Sequence, residues 1–135
     1  MPRHLTRDQI VSAINRGKSV EQLLQRPAPD QLAWIELRPV SGSVELWRYE
    51  VFDDGSEDFL DLYSFAPVEE WPETPFETYS DPTSACAAAE NCFSADSERW
   101  VNEFMIQDEY RDDLARRNQT NGEHDEGGKA SPATS

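Results

Sequence analysis

Residues 32–65 read LAWIELRPVSGSVELWRYEVFDDGSEDFLDLYSF, and the fold turns on how this stretch is read. Apolar and polar residues alternate along it with the period of two that a strand requires. Asp54-Gly55 stands between two such runs, a dipeptide that favours a tight hairpin turn. Setting Asp53 opposite Ser56 pairs Trp47 with Leu62, Tyr49 with Leu60 and Arg48 with Asp61. Upstream, a three-residue Ser41-Gly42-Ser43 loop pairs Leu37 with Trp47, Ile35 with Tyr49 and Glu36 with Arg48. The two registers agree, which predicts a three-stranded antiparallel meander. One face then collects Ala33, Ile35, Leu37, Trp47, Tyr49, Val51, Leu60 and Leu62. The other carries Trp34, Glu36, Arg38, Leu46, Arg48, Glu50, Phe59, Asp61 and Tyr63, with a Glu36–Arg48–Asp61 ladder across the strands. A slip of one residue would mix the two sets.

Helical signals flank the stretch. Thr6 and Gln9 form a capping-box pattern ahead of Ile10, Val11 and Ile14. Gly17 interrupts, and Ser19 with Gln22 repeats the pattern before Leu23 and Leu24, so residues 6–25 read as helix, turn and short helix. On the other side, residues 66–79 are rich in proline and acids, and a short edge strand near Phe76–Tyr79 would make a fourth strand. Asp81-Pro82 opens a helix to about Phe93. Asp96 or Ser97 starts a helical turn through Trp100, and a last helix spans roughly residues 105–117, with Ile106, Tyr110 and Leu114 on one stripe. Its Asp108/Asp112 and Glu109/Asp113 pairs set like charges four residues apart, a local inconsistency. The expected architecture is therefore α+β: N-terminal helices, a three- or four-stranded antiparallel meander, and C-terminal helices packed on one sheet face. Residues 1–117 form the domain, with 1–5 frayed, and the polar segment 118–135 reads as a disordered tail.

The chain has 135 residues, 27 of them acidic and 12 basic, for a net charge of −15, and this excludes some functions. A body this acidic repels nucleic-acid phosphates and anionic lipid, so neither is an expected partner. A basic protein surface is. No apolar run reaches membrane-spanning length, and no apolar leader stands at the N-terminus, which points to the cytoplasm. Cys86 and Cys92 are six apart, cannot meet on one helix, and read as buried free thiols in a reducing compartment.

Little catalytic chemistry is written in the chain. The two histidines, His4 and His124, fall in segments expected to be frayed. None of the six glycines stands in a phosphate-binding motif, so no nucleotide cofactor is expected. Asp53, Asp54, Glu57 and Asp58 are the candidates for a divalent cation, but they lack the alternating spacing of a calcium loop. The helix-Gly-helix of residues 7–26 has the outline of a DNA-binding motif, yet Ser12 and Arg16 occupy positions that need apolar residues.

The mixed sheet face is the better candidate for specificity. Trp34, Glu36, Leu46, Arg48, Glu50, Phe59, Asp61 and Tyr63 would form an aromatic and charged platform of the kind enriched at protein interfaces. The competing reading has residues 66–79 fold over it and pack Trp71 or Phe76 on its surface. The function expected is that of a small, acidic, non-enzymatic binding or regulatory protein. One alternative is a DNA mimic or immunity-type inhibitor, since strand carboxylates at i and i+2 recur about every 6.8 Å, near the spacing of successive phosphates. A second is a small divalent-metal enzyme built on the carboxylate clusters.

Overall fold

The computed structural model describes residues 3–127, with side chains to residue 117. The class is α+β, as expected, but the sheet has five antiparallel strands, one or two more than the sequence suggests. In chain order the elements are α1 (Arg7–Asn15), β1 (Val20–Leu23), β2 (Gln31–Val40), β3 (Ser43–Phe52), a 3-10 turn (Leu62–Ser64), β4 (Glu77–Tyr79), α2 (Pro82–Phe93), β5 (Val101–Asn102) and α3 (Ile106–Gly127). The strand order is β4-β3-β2-β1-β5. Among the described residues no helix is long and apolar enough to cross a membrane.

The N-terminal helix begins as its sequence dictates. Thr6 accepts from the Gln9 N–H, and the Gln9 side chain accepts from the Thr6 N–H. It ends at Gly17, whose positive φ of 82° lets Gly17 and Lys18 donate to the carbonyls of Ile14 and Ala13. After that the reading fails, because residues 20–23 form a strand and not a second helix. This strand lies between β2 and β5, so pairing on both edges overrides the local capping pattern. The helix from Asp81-Pro82 to Phe93 forms as expected, with Asp81 accepting from the Ser84 N–H at 2.7 Å. On it, both cysteines are free, but only Cys86 is buried as expected and Cys92 is exposed; burial pushes the Cys86 thiol up to about 11.

The β2–β3 hairpin is present but shifted by one residue. Val40 pairs with Ser43, so the loop is the two-residue Ser41-Gly42, with φ of 41° and 84°. Positive φ at both positions makes a two-residue turn whose twist matches that of the strands. The pairs are Trp34–Tyr49, Glu36–Trp47 and Leu37–Leu46. The slip moves Trp47, Tyr49 and Val51 to the face of Leu32, Trp34 and Glu36. Leu46, Arg48 and Glu50 move to the face of Ile35 and Leu37.

The expected third strand at residues 56–63 does not form. Asp54-Gly55 is not a hairpin turn, and Gly55 does not take positive φ. The free edge of β3 is taken by the segment expected to be a linker. Phe52 donates to the Ala66 carbonyl, Val68 to Glu50, and Phe76 to Leu46, and then β4 pairs with residues 44–46. The edge strand near Phe76–Tyr79 is therefore present. Gly55 is required for closeness instead, because a Cβ there would strike the Tyr110 hydroxyl, the Phe65 ring and the Phe59 carbonyl.

Both sheet faces are covered. On one, α1 and α2 pack Ile10, Ala13, Ile14, Ala85 and Ala89 against Val20, Ile35, Leu37, Val44 and Leu46. On the other, Ile106 and Tyr110 of α3 join Leu62 and Phe65 over Leu32, Trp34 and Val51. The C-terminal helices thus divide between the faces and do not share one. The helix α3 runs through Gly127, past the end expected at residue 117, and residues 128–135 of the expected tail lie outside the described residues.

The like charges on α3 each meet a basic side chain, three of them from outside the helix. Glu109, 2% exposed, lies 3.0 Å from Arg3, 2.9 Å from His4 and 3.0 Å from Arg99. Asp113 takes Arg26 at 2.6 Å, Asp112 takes Arg3, and Asp108 takes Arg111 at 2.7 Å. Residues 3–5 are accordingly held and not frayed, and the Leu5 N–H donates to the Trp100 carbonyl. His124 lies outside the residues whose side chains are described.

Two substitutions test this account. Gly55→Ala should cost about 2 kcal/mol in urea unfolding, the overpacking penalty, whereas a glycine serving only a surface turn would lose little. Glu109→Gln should cost about 3 kcal/mol, because it leaves guanidinium groups facing a neutral amide.

Candidate functional site

The observed register builds a polar row into the face opposite α1 and α2. Glu21 of β1, Glu36 of β2 and Trp47 of β3 are successive cross-strand neighbours. Leu23, Trp34 and Tyr49 form the next row. Directly opposed carboxylates repel, so two glutamates at one register position need compensation. Both are nevertheless buried, Glu21 to 3% exposure and Glu36 to 6%.

Glu36 is compensated within its own strand. Arg38, two residues on and therefore on the same face, donates to its two oxygens at 3.0 and 3.2 Å. The Tyr49 hydroxyl donates to it at 2.8 Å. The Arg38 guanidinium also lies over the Trp47 ring, 4.3 Å from its centroid, a cation–π contact. Trp47 stacks on Tyr49 at 6.3 Å with the rings 7° from parallel, and Tyr49 lies 5.1 Å from Trp34.

Glu21 is compensated by hydrogen bonds alone. The Tyr63 hydroxyl donates to Oε1 at 2.6 Å and the Phe104 N–H at 3.1 Å. Burial pushes its carboxyl up to about 7, against the pull of these two bonds, and Glu36 and Glu103 add repulsion. The Tyr49 and Tyr63 phenols are raised well above their ordinary range by burial and by the carboxylates they face.

Exposed rings border this row. Trp71 stands edge-on to Tyr49 at 6.2 Å and is 41% exposed. Phe104 stands edge-on to Tyr63 at 5.9 Å, is 64% exposed, and has a φ of 76°. A bulky residue in the left-handed region is strained by about 1–2 kcal/mol.

The residues singled out in the sequence are divided by the slip. Trp34 and Glu36 lie on this face, and Tyr63 reaches it from the 3-10 turn. Leu46, Arg48 and Glu50 belong to the opposite face, where Arg48 pairs with Glu50 and lies 5.4 Å from the Phe93 centroid. Phe59 packs at 5.3 Å on Phe65, and Asp61 caps the 3-10 turn. The expected Glu36–Arg48–Asp61 ladder is therefore absent. Of the segment 66–79, Trp71 reaches the aromatic face, whereas Phe76 packs on Phe93 at 4.8 Å. Glu21, Trp47, Tyr49 and Phe104 were not among the expected site residues. Trp47 and Tyr49 carried an aromatic signal that the register misplaced, and Phe104 carried none for its backbone conformation.

Of the four carboxylates considered for a cation, two serve structure. Asp53 pairs with Arg26 at 2.9 Å and accepts from Tyr110, and Asp54 accepts from the Ala66 N–H. Glu57 and Asp58 are exposed. Among the described residues no three His, Cys, Asp or Glu side chains come together as a metal site. A cleft of about 510 Å³ between β1 and α3 carries Arg26, Arg99, Arg116 and Arg117, but Glu109, Asp113 and Asp53 engage all four.

Compared with protein-family models, curated proteins and solved structures, the chain matches none.

The raised Glu21 carboxyl makes stability depend on pH. Its folded state holds the proton more tightly than the unfolded chain, whose ordinary value is 4.5. The contribution is fully present below 4.5 and lost as pH rises to about 7. The accumulated penalty is of the order of 3 kcal/mol. Glu21→Gln should therefore unfold at higher urea than the parent at pH 8 and about equally at pH 4, read as a difference between the two curves.

Proposed function

We propose that this chain is a small binding protein that takes a basic protein partner on the aromatic and carboxylate face around Glu21 and Glu36. The observation that carries the reading is the pair of exposed rings, Trp71 and Phe104, standing beside two buried glutamates. Large rings left in water beside desolvated carboxylates suit a partner that brings both apolar surface and positive charge. The net charge of −15 would speed the approach of such a partner, and the rings would hold it. Within the site the tyrosines act as donors to the two carboxylates. The inhibitor reading is a special case, in which the basic partner is itself a nucleic-acid-binding protein.

The test is affinity capture from the native host with the intact chain, the Trp71→Ala/Phe104→Ala variant and a Phe59→Ala control, each washed at rising salt. A basic protein retained by the parent and the control, and reduced tenfold or more on the double variant, supports the reading. Equal retention on all three would place the interface elsewhere. Competition by duplex DNA or RNA for the same partner would single out the inhibitor form.

A further inference from the structure

Three carboxylates are buried among the described residues: Glu21, Glu36 and Glu109. Two of them have cations. Glu109 has Arg3 and Arg99, and Glu36 has Arg38. Glu21 has none among the described residues, and its two hydrogen bonds both go to Oε1.

The two halves of the glutamate row are built alike. Around Glu36 stand a tyrosine donor, Tyr49, and an aromatic ring, Trp47, over which the Arg38 guanidinium lies. Around Glu21 stand a tyrosine donor, Tyr63, and an aromatic ring, Phe104, whose own N–H donates to the same carboxylate. The second half has every component of the first except the guanidinium. Phe104 is held by this bond in a strained backbone conformation with its ring in water.

We infer that Glu21 and the Phe104 ring form the receiving half of a guanidinium site, filled by an arginine side chain of the partner as Arg38 fills the half around Glu36. The inference rests on the binding-protein reading above and names the group recognised there. Arginine fits better than lysine because its planar cation pairs with a carboxylate and lies on a ring at the same time. Around Glu21 the charged and titratable groups are Glu36 from β2, Tyr49 from β3, Tyr63 from the 3-10 turn and Glu103 from the β5–α3 loop, none of them cationic. Arginine would bind the ionised carboxylate, so affinity should rise with pH through about 7.

The experiment is an NMR titration of the full chain with N-acetyl-arginine-methylamide, alongside the lysine and citrulline analogues. Saturable shifts at the amides of residues 20–23 and 102–105 are expected with the arginine probe. Its affinity should fall roughly tenfold from pH 8 to pH 6, as the carboxylate takes up its proton. Glu21→Gln, which keeps the shape and is expected to fold at least as stably, should weaken binding tenfold or more. Phe104→Ala should weaken it by a smaller factor. No shift at these amides at pH 8, equal shifts with uncharged citrulline, or undiminished binding to Glu21→Gln would each overturn the inference. A stronger response to the lysine probe would overturn the choice of arginine. If the probe fails while capture still depends on Trp71 and Phe104, the binding reading stands without this site. If the probe binds but capture is unaffected by those rings, the site stands and the reading falls.

Discussion

The Glu109 carboxylate is the point on which the chain ends are joined. It sits on α3, yet its partners come from residue 3, residue 4 and the loop before β5, two of them guanidinium groups. A buried charge without partners is costly, so α3 is stable on the sheet only with these partners in place. Arg26 and Asp113 repeat the device one turn along the helix, and Asp53 joins them from the far end of β3. Much of what fastens α3 to the rest is therefore ionic, with Ile106 and Tyr110 as its apolar anchors.

That arrangement explains the sequence feature that looked least consistent. Carboxylates at residues 108, 109, 112 and 113 disfavour an isolated helix, but all four are matched by guanidinium groups. Three of the four draw a partner from distant sequence. The acidity of this helix is thus a tertiary property, and local rules could flag it without explaining it.

Much of the secondary structure was legible where local chemistry decides it. The capping box at Thr6, the left-handed Gly17, the Asp81-Pro82 start and the β2–β3 hairpin all follow from residues close in sequence. The register did not, and the reason is physical. Alternation selects a register when one face is wet, whereas here β2 and β3 carry large apolar residues on both faces. The choice then fell to the Ser41-Gly42 turn, which the strand pattern does not report. Gly55 misled because glycine serves two purposes, positive φ and close approach, and a sequence does not say which. The candidate face suffered from the same slip: the sequence put Trp34, Glu36 and Tyr63 on one face, where they lie, but assigned Trp47 and Tyr49 to the other. Glu21 was hidden by its place in a four-residue strand that read as helix.

The outer strands of the sheet are β4, of three residues, and β5, of two. A sheet edge offers unpaired N–H and C=O groups to any extended chain that meets it, and a long edge can recruit another copy. These two are too short to template more than a few bonds. Proline interrupts the approach to β4, and charged residues flank both edges. The backbone of this sheet thereby offers little for a further strand to pair with. Its long central strands, which would aggregate if left open, are enclosed by neighbours that can carry no further growth.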